Sequence, residues 1–458
     1  MRLTVFFFTL LCLSTSLFST ASPLKPLKNT VETRLKNGLT LIICPKNTTP
    51  VVSIRLFYDV GSIVEKPGSR GLSHLFEHMM FRGSKHVGDE EHSQRIKEVG
   101  GISNAYTSDD MTVYYETLPA SELELALQLE ADRMENLVLN QAVLDKEKEV
   151  VKEEYRWRYE NNPQGDMFLK ARKALFPNHP YEYGAIGTME DINQASVTQC
   201  QEFYKRYYAP NNAVLVIAGD VDVEATQALV QDYFGRIPSN TLKKTPRPKF
   251  TKEPGLKRVK ERASYPVPLT MVAFHGPPAS DSDTLVLSII SAALGSGESA
   301  RLYKKIIKDY EFAEELFSYA IQNKELSLYV FGGIHLPFHS RLIQHTIWTE
   351  IDAIRQEGLT DDELTKIKNN MLMSEYTQNM SSSSLAEGLG RAKLLTGSTA
   401  SFIDKIKRFE QIDHEDIRRV ANQYFTKQNA TIITFQPKKK RFYSDWHYKI
   451  TGFFKALI

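Results

Sequence analysis

One succession of elements occurs twice along the chain, on either side of a break at 238–255 that sets Pro238, Pro246, Pro248 and Pro254 among lysines. Before the break, apolar runs at Leu39–Cys44 and Val51–Tyr58 read as strands, Gly71–Arg82 and Glu91–Val99 as helices, and Met111–Leu118 as another strand. Ser121–Leu137 and Gln141–Tyr159 have the spacing of long amphipathic helices, and Val214–Ala218 is a buried strand ended by Gly219-Asp220. After the break, Val267–Phe274 is strand-like, Asp283–Leu294 helical and Tyr329–Ile334 a strand. Helices at Thr360–Tyr376, Ile403–Phe409 and His414–Tyr424 then lead to a last strand, Ala430–Phe435. Layers of strands and long helices in two matching halves predict an α+β fold of two homologous domains. The domains would run over 28–237 and 256–436, with 238–255 as linker; the halves share this pattern and little identity.

With 42% hydrophobic and 24% charged residues, the composition is that of a folded protein. The 57 basic and 55 acidic side chains leave a net charge of +2, which makes no electrostatic case for a nucleic-acid partner. Three cysteines are too few for a disulfide framework. Cys44 and Cys200 are the two available to pair after export, and nothing in the sequence brings them together.

The ends carry their own signals. Met1-Arg2, an apolar run from Leu3 to Leu13 and a Ser/Thr-rich exit with Ser19 and Ala21 before the cut predict a signal peptide over 1–21. An uncleaved anchor is the other reading, although the run to Phe18 is short of a spanning length. Cleavage implies an exported protein, periplasmic or secreted. Cys12 follows Leu11 where lipidation wants a small residue. At the far end, 437–458 joins Lys438-Lys-Lys-Arg441 to Trp446, Phe453, Phe454 and Ile458. Such a basic and aromatic tail suits peripheral membrane contact or packing on the second domain.

The chemistry lies in the first half. His74-Leu-Phe-Glu77-His78 falls within the Gly71–Arg82 helix, where residues four apart share a face, so both imidazoles can reach one ion. Glu77 sits beside them, placed to take a proton from a water, in the H-x-x-E-H inverzincin pattern. A third ligand is sought in the Gln141–Tyr159 helix. Taking Glu147 as zero and about 100° per residue, Val143, Leu144, Val150 and Val151 define an apolar face, and Glu154 falls in its middle. Carboxylates on an apolar face are costly unless a cation or hydrogen bonds neutralise them, so Glu147 and Glu154 both qualify. His86, His92, His179 and His275 read as turn or surface residues without ligand spacing.

Gly71-Leu-Ser-His-Leu-Phe-Glu-His-Met-Met-Phe-Arg-Gly83 resembles the zinc-site segment of the pitrilysin-type (insulinase) peptidases, the family of insulin-degrading enzyme and the mitochondrial processing peptidase. Gly100–Thr107, Glu147–Glu154 and Tyr208–Asp220 resemble that family's edge strand, two-glutamate helix and closing strand. The resemblance implies a zinc endopeptidase holding one Zn²⁺ per chain on His74, His78 and Glu154. Glu77 would be the general base, and Glu147 the carboxylate that orients a ligand. It further implies that Asn104, Ala105, Tyr106 and Thr107 bind a peptide substrate by strand addition. The Asp283–Leu294 helix, without histidine, would be the inactive copy of the zinc helix. In that family an Arg and a Tyr of the second half touch substrate. Gly295–Tyr303 matches the arginine segment and offers Arg301, which reads equally as a surface residue at a helix start; the tyrosine position falls at Glu314. Large members close four such domains as a clamshell. A chain with two supplies half of it, which implies a homodimer or a heterodimer with a related chain. A non-catalytic subunit of a heterodimeric peptidase is the alternative.

Overall fold

The computed structural model describes residues 27, 29–241 and 245–438. The expected leader at 1–21 and the tail beyond Lys438 lie outside them. Six strands build the first sheet: β1 (Val31–Arg34), β2 (Thr40–Pro45), β3 (Val51–Tyr58), β4 (Ile102–Thr107), β5 (Thr112–Pro119) and β6 (Ala213–Gly219), in the order β1-β2-β6-β3-β5-β4. Five build the second: β7 (Lys257–Ala263), β8 (Leu269–Gly276), β9 (Ala313–Gln322), β10 (Ser327–His335) and β11 (Ala430–Pro437), in the order β7-β11-β8-β10-β9. With β1 set aside, the chain threads both sheets identically. Each has one parallel pair, β2–β6 or β7–β11, and is otherwise antiparallel. The expected α+β architecture of two homologous units is therefore present, duplicated strand for strand.

The principal helices are α1 (Leu72–Met79), α2 (Glu91–Glu98), α3 (Leu123–Asn136), α4 (Gln141–Tyr155), α5 (Pro163–Leu175), α6 (Asp283–Gly295), α7 (Ser340–Glu357), α8 (Ser382–Thr396) and α9 (His414–Tyr424). Side chains alternate across each strand, which sorts β3 cleanly. Val52, Ile54, Leu56 and Tyr58 join α1, α3 and α4 in one core, while Phe57 faces the opposite side with Ile42, Cys44, Val113, Val216 and Ala218. That opposite face is covered by Leu385, Ala386 and Leu389 of α8, a helix from the second half. The close approach needs Gly390, where a Cβ would come 2.0 Å from the Phe57 ring. The second sheet is treated reciprocally. One face packs on α6, α7 and α9 of its own half; the other shares a core with Met167, Ala171 and Leu175 of α5, from the first half. The halves thus exchange one helix each.

Several expectations need correction. Val150 is 40% exposed, because the buried arc of α4 is narrower than the periodicity implied and centres on Leu144, Glu147 and Val151. His92, His179 and His275 are buried, each ring hydrogen-bonded to a carboxylate or carbonyl oxygen that makes burial tolerable. Cys44 and Cys200 are not joined by a disulfide; they lie in separate cores on opposite faces of the first sheet. Among the described residues no helix is long and apolar enough to cross a membrane.

Candidate metal centre

Helix α1 is anchored before its first turn. Gly71 stands at its N-cap with φ 90°, and a Cβ there would meet the Ile186 carbonyl at 2.4 Å. The buried Glu65 carboxylate accepts the Gly71 and Ser73 N–H groups, both at 2.7 Å, supplying the acceptor an N-terminus lacks. Asp191 accepts the N–H groups of Gly68 and Arg70 in the same loop. Leu72, Leu75, Phe76 and Met79 then seat the helix in the core. His74, Glu77 and His78 are left to face α4 and β4.

His74 Nε2 lies 3.6 Å and His78 Nε2 3.3 Å from Glu154 Oε2. A tetrahedral ion with bonds of about 2.0–2.1 Å separates its ligand atoms by about 3.4 Å, close to both of these distances, and the three residues' ligand atoms all lie within 4.8 Å of one another. On the far side of His78, Nδ1 stands 3.4 Å from Glu147 Oε2, and Arg82 Nε pairs with Glu147 Oε1 at 2.6 Å. A carboxylate placed behind an imidazole in this way fixes the ring's orientation. Glu154 Oε1, turned away from the histidines, pairs with Arg158 at 2.7 Å.

Electrostatics distinguish the two imidazoles. Burial pulls His74 down to about 3, keeping it neutral as a ligand must be. Burial opposes charge on His78 too, but its hydrogen bonds to Glu147 and Glu154 lift it to about 9. Glu154, despite burial, is drawn down to about 2 by His78, His74 and Arg158. Burial raises Glu77, and the Thr107 hydroxyl, donating to its Oε2 at 2.6 Å, partly offsets the rise.

Thr107 ends β4, the strand that carries Asn104, Ala105 and Tyr106. Among the described residues β4 pairs with β5 alone, so one edge is open. Arg301 is engaged elsewhere: its guanidinium forks onto Glu363 at 2.7 and 2.6 Å, and among the described residues no contact joins it to His74, His78 or Glu154. Glu314 is exposed on β9. Arg82 and Arg158 each follow a metal-type side chain by four residues within the helices expected at Gly71–Arg82 and Gln141–Tyr159, so periodicity had the means to find them, although the structure ends those α-helices at Met79 and Tyr155. Glu65 and the Thr107 bond needed the tertiary fold.

Among the described residues one other cluster has metal-type donors: His92, Glu116 and Glu130, all buried. There Arg133 supplies the cation. It bonds both oxygens of Glu130 and stands 3.3 Å from Glu116 Oε1, so this cluster carries its own counter-charge.

Residues 41–188 match the profile of Insulinase (Peptidase family M16), a span that holds His74, Glu77, His78, Glu147 and Glu154. Residues 194–371 match that of the Peptidase M16 inactive domain. The zinc protease PqqE of Helicobacter pylori is 30% identical over 409 residues, which cover 88% of this chain and 92% of that protein. The crystal structure of a protease from Helicobacter pylori superposes with a TM-score of 0.84 at 28% identity, over 89% of this chain and 99% of its own. The periplasmic protease PqqL of Escherichia coli shares the fold at a TM-score of 0.71 and 20% identity, over 89% of this chain and 47% of PqqL.

Proposed function

The chain belongs to the insulinase family of zinc peptidases, peptidase family M16, and from that premise we propose that it is a zinc-dependent endopeptidase cleaving peptides or unfolded polypeptide segments. The observation that carries the reading is the convergence of His74 Nε2, His78 Nε2 and Glu154 Oε2 beside Glu77. In this reading one zinc ion per chain is held by His74, His78 and Glu154, and Glu147 orients His78. The ion, when bound, supplies a Lewis acid for the scissile carbonyl and brings the pKa of water down to about 7.

Every other part of the reaction falls to the chain's own side chains. Glu77 takes the proton of the attacking water at its carboxylate and returns it to the leaving amine nitrogen. Thr107 holds one Glu77 oxygen, leaving the other for that water. The open edge of β4 receives the substrate as an added strand over Asn104, Ala105, Tyr106 and Thr107, reading backbone more than sequence. In this reading 28–237 is the zinc domain and 256–436 the non-catalytic copy; the inactive-domain match, residues 194–371, overlaps the greater part of the latter.

The chain matches the fold of about half of PqqL, which supports a dimer, with itself or with a related two-domain chain, closing on substrate as the halves of a clamshell. We place it outside the cytoplasm, periplasmic or secreted, on its leader sequence. A second reading, a subunit whose activity depends on its partner, is favoured by Glu314 at the tyrosine position and by the engagement of Arg301 with Glu363. A quenched-fluorescence peptide assay of the purified chain, with and without chelator and alongside Glu77→Gln, tests the main reading. Activity in Glu77→Gln at the wild-type level would overturn it.

A further inference from the structure

Among the described residues strand β4 has a hydrogen-bonded neighbour on one side only, yet it must offer its open edge in a fixed place if a peptide is to add to it. Successive residues of a strand point to opposite faces, so Thr107 and Tyr106 reach in opposite directions. Thr107 is held on the helix side by Glu77. On the other side the Tyr106 hydroxyl donates to Glu387 Oε1 at 2.6 Å. Glu387 stands on α8, the helix that the second half lays across the first sheet.

Its other oxygen is fixed as well. Arg55 Nη1 on β3 donates to Glu387 Oε2 at 2.7 Å. Arg55 is in turn tied to the Ser383 hydroxyl at 2.8 Å and carbonyl at 3.2 Å, and lies 4.4 Å over the Tyr115 ring. The Arg55 and Glu387 side chains are 9% and 27% exposed, sheltered enough for the bonds to outlast competition from water. The turn that follows β4 is gripped as well: Asp110 accepts the Lys324 N–H at 2.8 Å and an Arg247 Nη1–H at 2.6 Å. Both grips come from beyond the first half's last strand.

We infer that Glu387 is a positioning residue for the proposed reaction: through Tyr106 it holds β4 in the place where the open edge accepts a peptide. The inactive half is then a working part of the binding site. This rests on the endopeptidase reading, and its experiment separates the two. With the full-length, zinc-loaded chain and an extended quenched peptide, Glu387→Ala raises KM about tenfold, the loss of one sheltered hydrogen bond, with kcat within about twofold. Zinc content is unchanged. Glu387→Gln, which keeps an acceptor for the tyrosine hydroxyl, returns KM to within about threefold of wild type, and Tyr106→Phe reproduces the Ala defect. Hydrogen exchange of the 102–107 amides quickens in Glu387→Ala and Tyr106→Phe.

An unchanged KM in both variants overturns the inference, as does a Gln variant no better than Ala, since Arg55 pairing would then be what matters. If the wild-type chain, zinc-loaded, cleaves no peptide, it is the endopeptidase reading that fails. Exchange at 102–107 still reports whether Glu387 holds the strand, and unaltered exchange would sink that as well.

Discussion

Thr107 and Glu77 stand on different elements, the open strand and the histidine helix, and a single 2.6 Å hydrogen bond joins them. The edge proposed to receive a peptide and the carboxylate proposed as its base are therefore joined at one point. That bond pins the last residue of β4 beside Glu77, so a strand loosened ahead of it weakens peptide binding and leaves the base in place.

Glu77→Gln should lower peptide hydrolysis by about 10²–10⁴-fold while zinc content, read by metal analysis, stays at one ion per chain. His74→Ala should lose ion and activity together, because it removes a ligand. Both losses in Glu77→Gln would contradict the separation of roles.

Glu147→Gln keeps the shape but gives up the charge that His78 Nδ1 and Arg82 face. Zinc affinity should fall about 10–100-fold, measured by competition with a chromophoric chelator. Saturating zinc should recover most of the turnover, an outcome that a directly catalytic Glu147 would not allow.

Glu65 gives a pH-dependent signature. Burial raises it to about 7 against the bonds from Ser73 and Gly71, so the fold favours its protonated form. That contribution is complete below about pH 4.5 and is lost as pH rises through about 7, above which the carboxylate costs about 3 kcal/mol. Between pH 5 and 8 wild type should lose stability relative to Glu65→Gln by that order, followed by urea unfolding. A constant gap would show that Glu65 does not titrate in this range.

Arg133→Met should destabilise the chain by about 3–5 kcal/mol, because Glu116 and Glu130 lose their buried counter-charge. Adding Glu130→Leu should restore part of the melting temperature. A single variant as stable as wild type would mean that the network is solvated.

The candidate site was legible where it is local. The four-residue step from His74 to His78 and the seven-residue step from Glu147 to Glu154 come close to one and two turns of a helix, and near-whole turns put side chains on one face. The repeat was legible where its strands are buried apolar runs, as in β3, β6, β8 and β11; β7 and β9, with their charged and half-exposed residues, gave no such signal. Rotation angles alone misjudged Val150, since the width of the buried arc depends on what packs against it. Helix α8 was passed over because its Ser382–Ser384 opening and two glycines resemble a loop; its Leu385, Ala386 and Leu389 make sense only against a sheet encoded more than 160 residues earlier. The Glu65, Thr107 and Glu387 bonds join residues that no local period relates.

The helix exchange sets a timetable for the growing chain. The first sheet is complete in sequence at Gly219, but its cover begins at Ser382. At about 5–20 residues per second, roughly 10–30 seconds of synthesis separate the two. Throughout that interval the face around Phe57, Val113 and Val216 has no lid. Neither half can finish folding on the ribosome ahead of the other, so both mature together, after the last strand has been made.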